Sequence, residues 1–273
     1  LTTARGRVGG KVSEQYGWGL PDLKAAMEGP GELLRDNLVS IPAGWEDSWS
    51  NDISQAALQQ RKAEDALELQ EWDEKEQRAK QYRANGQTEI ADSAEQELVL
   101  LRNRIDYLRA RQKDPHGYEA GLTKAGDGRL ILSGNNSYTG GTALLEGTLG
   151  VGSATALGTG TLDIHDGATL LSTANDLTLA NAITVKGRGV VDTQANTFTL
   201  SGDITDDAAP GGFVKAGSGA LVLSGINTYS GPTSVAMGTL QAGSTSGFSS
   251  RSSFVVNDGA KLDLNNFNQT VGS

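Results

Sequence analysis

No cysteine occurs in the 273 residues, which removes disulfides, thiol nucleophiles and thiolate metal sites in one step. Only two histidines are present, His116 and His165, so imidazole chemistry has two candidate seats. Aromatic residues make up 5% of the chain, too few for a large core filled by rings. A net charge of −10 argues against a nucleic-acid partner, which needs basic surface to meet phosphates. No apolar run approaches the ~18 residues of a helical membrane span. The opening LTTARGR is not a signal peptide. With no start signal and abrupt ends, the chain reads as a piece of something longer.

What is abundant is glycine, 36 residues against the roughly 7% of an average protein. With Thr, Ser, Asn and Asp between short aliphatic runs, it predicts many turns and many short strands. The composition is uneven. All four Trp fall by residue 72 and all five Phe after residue 197, and 36 of the 56 charged residues (23 basic, 33 acidic) lie in 1–113.

The later part repeats itself. GLTKAGDGRLILSGNNSYTGGTALLEGTL (121–149) returns as GFVKAGSGALVLSGINTYSGPTSVAMGTL (212–240), with 16 of 29 positions identical and Tyr229 lying 91 residues after Tyr138. DGATL (166–170) returns as DGAKL (258–262) at an offset of 92, the slip a loop insertion between structural rungs gives. Runs such as LILS, LVLS and AITV alternate, so one face is buried. Strands this short cannot bury a face alone, but stacked coils make a continuous core. A parallel β-helix meets these constraints; a sandwich leaves the long repeat unexplained. In the repeated turn, Asn136 and Asn227 are expected to take left-handed geometry and bond the local backbone. Gly134, Gly140, Gly225 and Gly231 are expected to supply positive φ at corners. Tyr138 and Tyr229 are expected to lay a ring over the next coil with the hydroxyl in water. The rival reading of those rings is a glycan-binding platform.

The string GLTKAGDGRLILSGNNSYTGGT…GTL resembles the passenger-associated repeat of autotransporters, surface proteins of Gram-negative bacteria. The resemblance implies a β-helical passenger exported through a C-terminal outer-membrane barrel, which this chain does not contain. It also implies a secreted or cell-surface location.

A charged segment interrupts the pattern. SNDIS (50–54) precedes the first copy as SGDIT (201–205) precedes the second. From Ile53 to Gly121 is 68 positions, and from Ile204 to Gly212 is 8, leaving 60 extra residues. Ile90, Ala94, Leu98, Leu101, Ile105 and Leu108 recur at helical steps. Glu71–Lys75, Glu74–Arg78 and Glu76–Lys80 are i,i+4 pairs in the favourable order. Gly86 is a C-cap, Thr88 an N-cap, and Pro115 with Gly117 ends the second helix. Two helices folded back on each other return the chain to its start. Three roles stay open for them: a tolerated loop extension, an arm against a partner domain, or a coiled-coil dimerisation arm.

At the N-terminus, Pro21 and Gly29–Pro30 bracket a helix too short to stand alone in water. LTTA…YGWGLPDLKAAMEGP resembles the C-terminal edge of subtilisin-like serine proteases, which implies an upstream protease domain. The nucleophile motif Gly-Thr-Ser-Met-Ala is nowhere in the sequence, nor are the family's Asp and His motifs, so no catalytic residue is carried over.

Remaining clusters reduce to turns. Asp163, His165 and Asp166 suggest a metal set, but the aligned residues in the second copy are Val255, Asn257 and Asp258, and only the Asp-Gly turn recurs. His116 sits beside Pro115 at the exit of the helices. DITDDAAPGG (203–212) could clip Ca²⁺ but reads first as a loop. GSTSG (243–247) lacks the spacing and context of a nucleophile elbow.

The expected fold is mainly β: a right-handed parallel β-helix with an inserted antiparallel α-helical hairpin and a short N-terminal helical edge of a protease domain. The expected divisions are 1–30 protease edge, 31–54 connector and first coil, 55–116 hairpin, and 117–273 β-helix. No catalytic, cofactor or metal residue is expected. The expected function is a structural stem that displays and helps export a subtilisin-like endopeptidase. Its partners are that protease and the barrel, both outside this chain, with host surface proteins as further candidates. An adhesin passenger binding host matrix or glycans is the main alternative, and a polysaccharide-cleaving β-helix the lesser one.

Overall fold

The computed structural model describes residues 27–272. The expected protease edge at 1–30 therefore lies outside the described residues, apart from its last four. The chain forms two compact units, one running to Gln55 and resuming at Ala120, the other spanning Ala56 to Glu119.

The first unit is a parallel β-solenoid of three sheets. One sheet runs β1 (Asn37–Ser40), β3 (Leu122–Ala125), β5 (Thr142–Leu144), β7 (Leu162–His165), β10 (Ile183–Lys186) and β13 (Ile204–Asp206). The second runs β2 (Glu46–Trp49), β4 (Arg129–Leu132), β6 (Thr148–Val151), β8 (Thr169–Ser172), β11 (Arg188–Asp192), β14 (Gly212–Ala216), β16 (Thr233–Val235) and β18 (Phe254–Val256). The third runs β9 (Leu177–Leu179), β12 (Thr197–Leu200), β15 (Ala220–Leu223), β17 (Thr239–Ala242) and β19 (Lys261–Asp263). Parallel neighbours need a long crossover. Here the rest of each turn supplies it.

Alternation decides which side chains enter the core. On the second sheet Leu130, Leu149, Leu170 and Val191 stand in register, none more than 2% exposed. On the third, Leu177, Phe198, Leu221 and Leu240 form the same kind of inner row. Each such side chain contributes about 1.5–3 kcal/mol by leaving water, and it does so only because a neighbouring turn covers it.

The three sheets account for the 91-residue spacing. Leu122, Thr142, Leu162, Ile183 and Ile204 are successive in-register partners down the first sheet, so each marks one turn. The second copy then begins at β14 on the neighbouring sheet. The copies are thus offset by four turns and one face. β3 and β4 occupy the first and second sheets, while their counterparts β14 and β15 occupy the second and third.

The second unit contains α1 (Ala56–Ala84) and α2 (Thr88–Lys113). Leu58, Asp65, Trp72 and Ala79 are the buried positions of α1, each seven residues after the last. Ala91, Ile105 and Leu108 are those of α2. Heptad spacing of this kind keeps one seam on the partner helix. Ile90, expected on that seam, is 50% exposed because Ala91 takes the inward position one residue on.

Lys75 pairs with Glu97 (2.7 Å), Arg83 with Glu95 (2.8 Å) and Arg104 with Glu68 (2.9 Å), so the helices run antiparallel. The expected i,i+4 partner Glu71 is replaced for Lys75 by this cross-helix contact. Gly86 takes φ +74° between the helices. Thr88 is the first helical residue; the capping position is Gln87, which makes no side-chain cap bond. Asp65 is 1% exposed and accepts hydrogen bonds from the Tyr118 hydroxyl (2.9 Å) and Arg111 (3.3 Å), with Arg104 at 3.6 Å.

Candidate functional site

The repeated turn lies on the side of the solenoid where no strand forms. The third sheet starts only at β9, and the first stops at β13, so neither copy of the turn has a ladder there. Isolated backbone bonds still join the turns, such as Ser137 N to the Ile53 carbonyl (2.8 Å) and Thr228 N to that of Ile204 (2.8 Å), and side chains add to them. Asn136 Oδ1 accepts the Ile53 amide (2.7 Å), and its Nδ2 donates to the Ala156 carbonyl. Asn227 repeats the bridge, accepting from Ile204 (2.8 Å) and donating to Gly247 (2.6 Å). Each asparagine thereby ties its own turn to the turn before and the turn after.

These contacts correct three expectations. Asn136 and Asn227 are not among the positive-φ residues, and their bonds are to neighbouring turns rather than to local backbone. Gly134, Gly140, Gly225 and Gly231 do not take positive φ either. A Cβ on Gly134 would stand 2.0 Å from the Asn51 carbonyl oxygen, and one on Gly225 2.2 Å from that of Gly202. These glycines are required by close backbone approach. Tyr138 and Tyr229 do not reach water: both are 0% exposed, with hydroxyls on Thr142 Oγ1 (2.7 Å) and Thr233 Oγ1 (2.8 Å). Burial pushes both phenols up to about 12. Neither ring is available as a glycan platform.

A fourth element escaped the sequence reading. Lys124 and Lys215 are fully buried, on the inner face of β3 and β14. Lys124 Nζ donates to the carbonyls of Ala125 (3.0 Å), Gly126 (2.6 Å) and Glu146 (3.1 Å). Lys215 Nζ donates to those of Ala216 (2.9 Å), Gly217 (2.8 Å) and Met237 (3.1 Å). Each ammonium uses its three protons on two carbonyls of its own corner and one of the next turn. Burial pushes the Lys215 amine down to about 8 and lowers that of Lys124 as well. The signal was present: KAG recurs with the lysine at an inward position of the alternation in both copies.

A fifth element is shared under different residue types. Gln55 Oε1 accepts the amides of Ala120 (3.2 Å) and Thr139 (3.2 Å), while its Nε2 donates to Thr139 Oγ1 (2.8 Å). In the second copy Asp206 Oδ2 accepts the amides of Gly211 (3.4 Å) and Ser230 (2.7 Å) and the Ser230 hydroxyl. Gly211 and Ser230 stand 91 residues after Ala120 and Thr139. Burial opposes ionisation of Asp206, but the bonds from Ser230 and Gly211 outweigh it and lower its pKa.

The other sequence candidates are engaged in structure. Asp163 is ion-paired with Lys186 (2.6 Å), and Asp166 accepts the Arg188 amide (2.7 Å), while His165 stands opposite Lys186 on the next turn. His116 is exposed beside Glu119 (2.7 Å), which raises its pKa. In 203–212, Asp203 accepts the Ile226 amide (2.7 Å) and Asp207 that of Ala208 (2.8 Å). In 243–247, Ser244 Oγ accepts the Ser246 amide (3.2 Å), and Gly247 receives Asn227. Among the described residues no three His, Asp or Glu side chains could hold a metal ion, and no helix is long and apolar enough to cross a membrane.

A stack of parallel turns whose buried polar groups join one turn to the next defines a class, the parallel β-solenoid. Residues 122–151 and 213–242 match the passenger-associated-transport-repeat family. Over 121 residues the chain is 45% identical to the Adhesin BmaC autotransporter of Brucella suis biovar 1 (strain 1330), a match covering 44% of this chain and 4% of that relative. No solved structure matches the chain significantly. The repeats, the relative and the solenoid together support an autotransporter passenger, secreted and surface-exposed at the outer membrane of a Gram-negative bacterium.

Proposed function

We propose that this chain is a load-carrying stem within an autotransporter passenger, not a catalytic or ligand-binding module. The observation that supports it is the repeated corner. Its asparagine and Gln55 or Asp206 bond adjacent turns, its lysine bonds its own corner and the next turn, and its tyrosine bonds a threonine of its own turn, so none of these side chains is left for a ligand. Such a corner does one thing, which is to keep turns in register. A stem of this kind has two partners outside the chain: a C-terminal outer-membrane barrel through which it is exported, and a domain it carries.

Two loads are in view. The first is a subtilisin-like serine endopeptidase, supported by the resemblance of residues 1–30 to the closing edge of that domain. In that arrangement residues 31–54 are the connector and first coil, 55–116 an inserted helical hairpin, and 117–273 the β-helix. The second is an adhesive passenger, favoured by the name of the Brucella relative.

The test uses this chain and a longer passenger that includes the residues upstream. Both are treated with casein and with a serine-directed fluorophosphonate, and both are applied to immobilised host matrix and glycans. The stem reading expects this chain to be inert in every assay. Labelling of the longer passenger alone supports the protease load, and matrix binding by it alone supports the adhesive one. Labelling or binding by this chain itself would sink the stem reading.

A further inference from the structure

We infer that the corner closed by Gln55 in the first copy and Asp206 in the second is a built attachment port, a place where the solenoid accepts an inserted module without losing a turn. The inference rests on the passenger-stem reading only for what the module is for. The port itself stands on contacts within the solenoid.

At the first port the chain leaves after Gln55 and re-enters at Ala120 after 64 intervening residues, with Gln55 bonded to the re-entering amide. At the second it leaves after Asp206 and re-enters at Gly211 by way of Asp207, Ala208, Ala209 and Pro210 alone, with Asp206 bonded to the equivalent amide. The surroundings are unchanged between the two. Ile53 and Ile204, two residues before the exits, each donate to the asparagine of the following turn. Asp52 and Asp203 each accept an amide of that turn, from Asn135 (2.7 Å) and Ile226 (2.7 Å). Thr139 and Ser230 each give both an amide and a hydroxyl contact to the residue at the exit.

Sixty additional residues therefore leave every contact of the corner in place, with only the hydroxyl bond of Thr139 or Ser230 reversed in direction. The physical reason is that residue 55 or 206 carries the closure through its side chain. The backbone beyond it is free to depart, provided it returns within hydrogen-bond reach of that side chain. This sets the class of cargo: a module whose two ends lie side by side, as the ends of a two-helix hairpin do. It also sets the chemistry of the closing residue, whose oxygen must accept two amides. Both Gln and Asp satisfy this, and Ala does not.

The experiment exchanges the contents of the two ports in the full chain. Replacing 56–119 by Asp-Ala-Ala-Pro should abolish helical circular dichroism while strand signal and cooperative unfolding persist. Placing a copy of 56–119 between Asp206 and Gly211, in place of 207–210, should about double the helical signal and shift the solenoid's unfolding midpoint by no more than about 4 °C. The same graft in an Asp206→Ala background should lose cooperative unfolding, and Asp206→Gln should restore it. The inference is overturned if the graft destroys cooperativity with Asp206 intact, if Asp206→Ala tolerates the graft equally, or if the four-residue replacement collapses the strands. Because the readouts come from purified chain, they are independent of the labelling and matrix-binding assays that decide the passenger's load.

Discussion

Tyr138 and Tyr229 occupy equivalent places in the two copies, yet removing their hydroxyls should have unequal effects. Both rings are fully buried, so Tyr→Ala at either site should cost the ~3–5 kcal/mol of a core aromatic. Tyr→Phe keeps the ring and removes only the oxygen, which isolates the polar contribution. At the first copy, Thr142 Oγ1 then has no other partner among the described residues, and it is 3% exposed. A buried hydroxyl left alone costs about 1–3 kcal/mol.

At the second copy, Thr233 Oγ1 keeps Ser252 Oγ at 2.9 Å, and the ring that remains in Tyr229→Phe would keep the contact with Phe213 at 5.4 Å. There the loss should be that of one ordinary hydrogen bond, about 0.5–1.5 kcal/mol. Denaturant melts of Tyr138→Phe and Tyr229→Phe, with native-state amide exchange at Leu144 and Val235, measure the two losses separately. Exchange should accelerate around the mutated turn before distant turns respond, since each turn contacts only its neighbours. Equal losses, or a larger loss for Tyr229→Phe, would refute the reasoning from partner number.

The same tyrosines make stability sensitive to alkali. Their folded pKa of about 12 exceeds the unfolded value, so their contribution is intact below pH 10 and lost as pH rises toward 12, by at most about 3 kcal/mol each; the tyrosinate absorbance of these two, read as the difference between the parent and its Tyr→Phe variants, should rise together with unfolding rather than ahead of it. Lys215 acts in the opposite sense over a lower window. Its folded pKa of about 8 is depressed, so the folded state gains stability as pH rises from 8 toward the unfolded value of 10.5, and Lys215→Met should flatten that part of the profile. Asp206, lowered by its three bonds, contributes stability above its unfolded pKa that is lost as pH falls through the folded one. Protection of the Ser230 and Gly211 amides, relative to intrinsic exchange at each pH, should therefore fall in acid while that of Thr139 and Ala120, held by the neutral Gln55, does not. Asp65→Ala leaves the buried Tyr118 hydroxyl without its acceptor and should destabilise the 56–119 unit by about 1–3 kcal/mol, read as loss of helical signal.

Stacked parallel strands, short and alternating, were legible from the sequence because period-2 runs between glycine turns leave one apolar face that only a neighbouring turn can cover. The helix at 88–113 was legible from its apolar steps, that at 56–84 from the spacing of its charges, and the break between them from Gly86. What was missed lies in the turn. A string such as SGNNSYTGG has the composition of a solvent loop, and it was read as one. Yet Leu130, Leu132, Gly134, Asn136 and Tyr138 are buried in unbroken alternation, so the parity of the preceding strand carries Asn136 and Tyr138 inward although no strand forms there. Glycine was read by its commonest use, left-handed geometry, whereas Gly134 and Gly225 answer to a neighbouring carbonyl that only the stacked turns bring near. Lys124 was within reach of the sequence, because alternation had already assigned its position to the interior.

The offset of four turns and one sheet between the copies has a bearing on valency. Two copies of a surface motif on the same face could be grasped by one flat partner, and their affinities would multiply through effective concentration. Here the outward residues of the second copy look out from the next face round. A receptor broad enough to touch both would have to wrap the shaft. Repeats at this spacing scatter like identical surfaces around a column instead of ranking them along it. Duplication thus strengthens the interior at every recurrence while leaving the exterior, as seen by any one flat partner, monovalent.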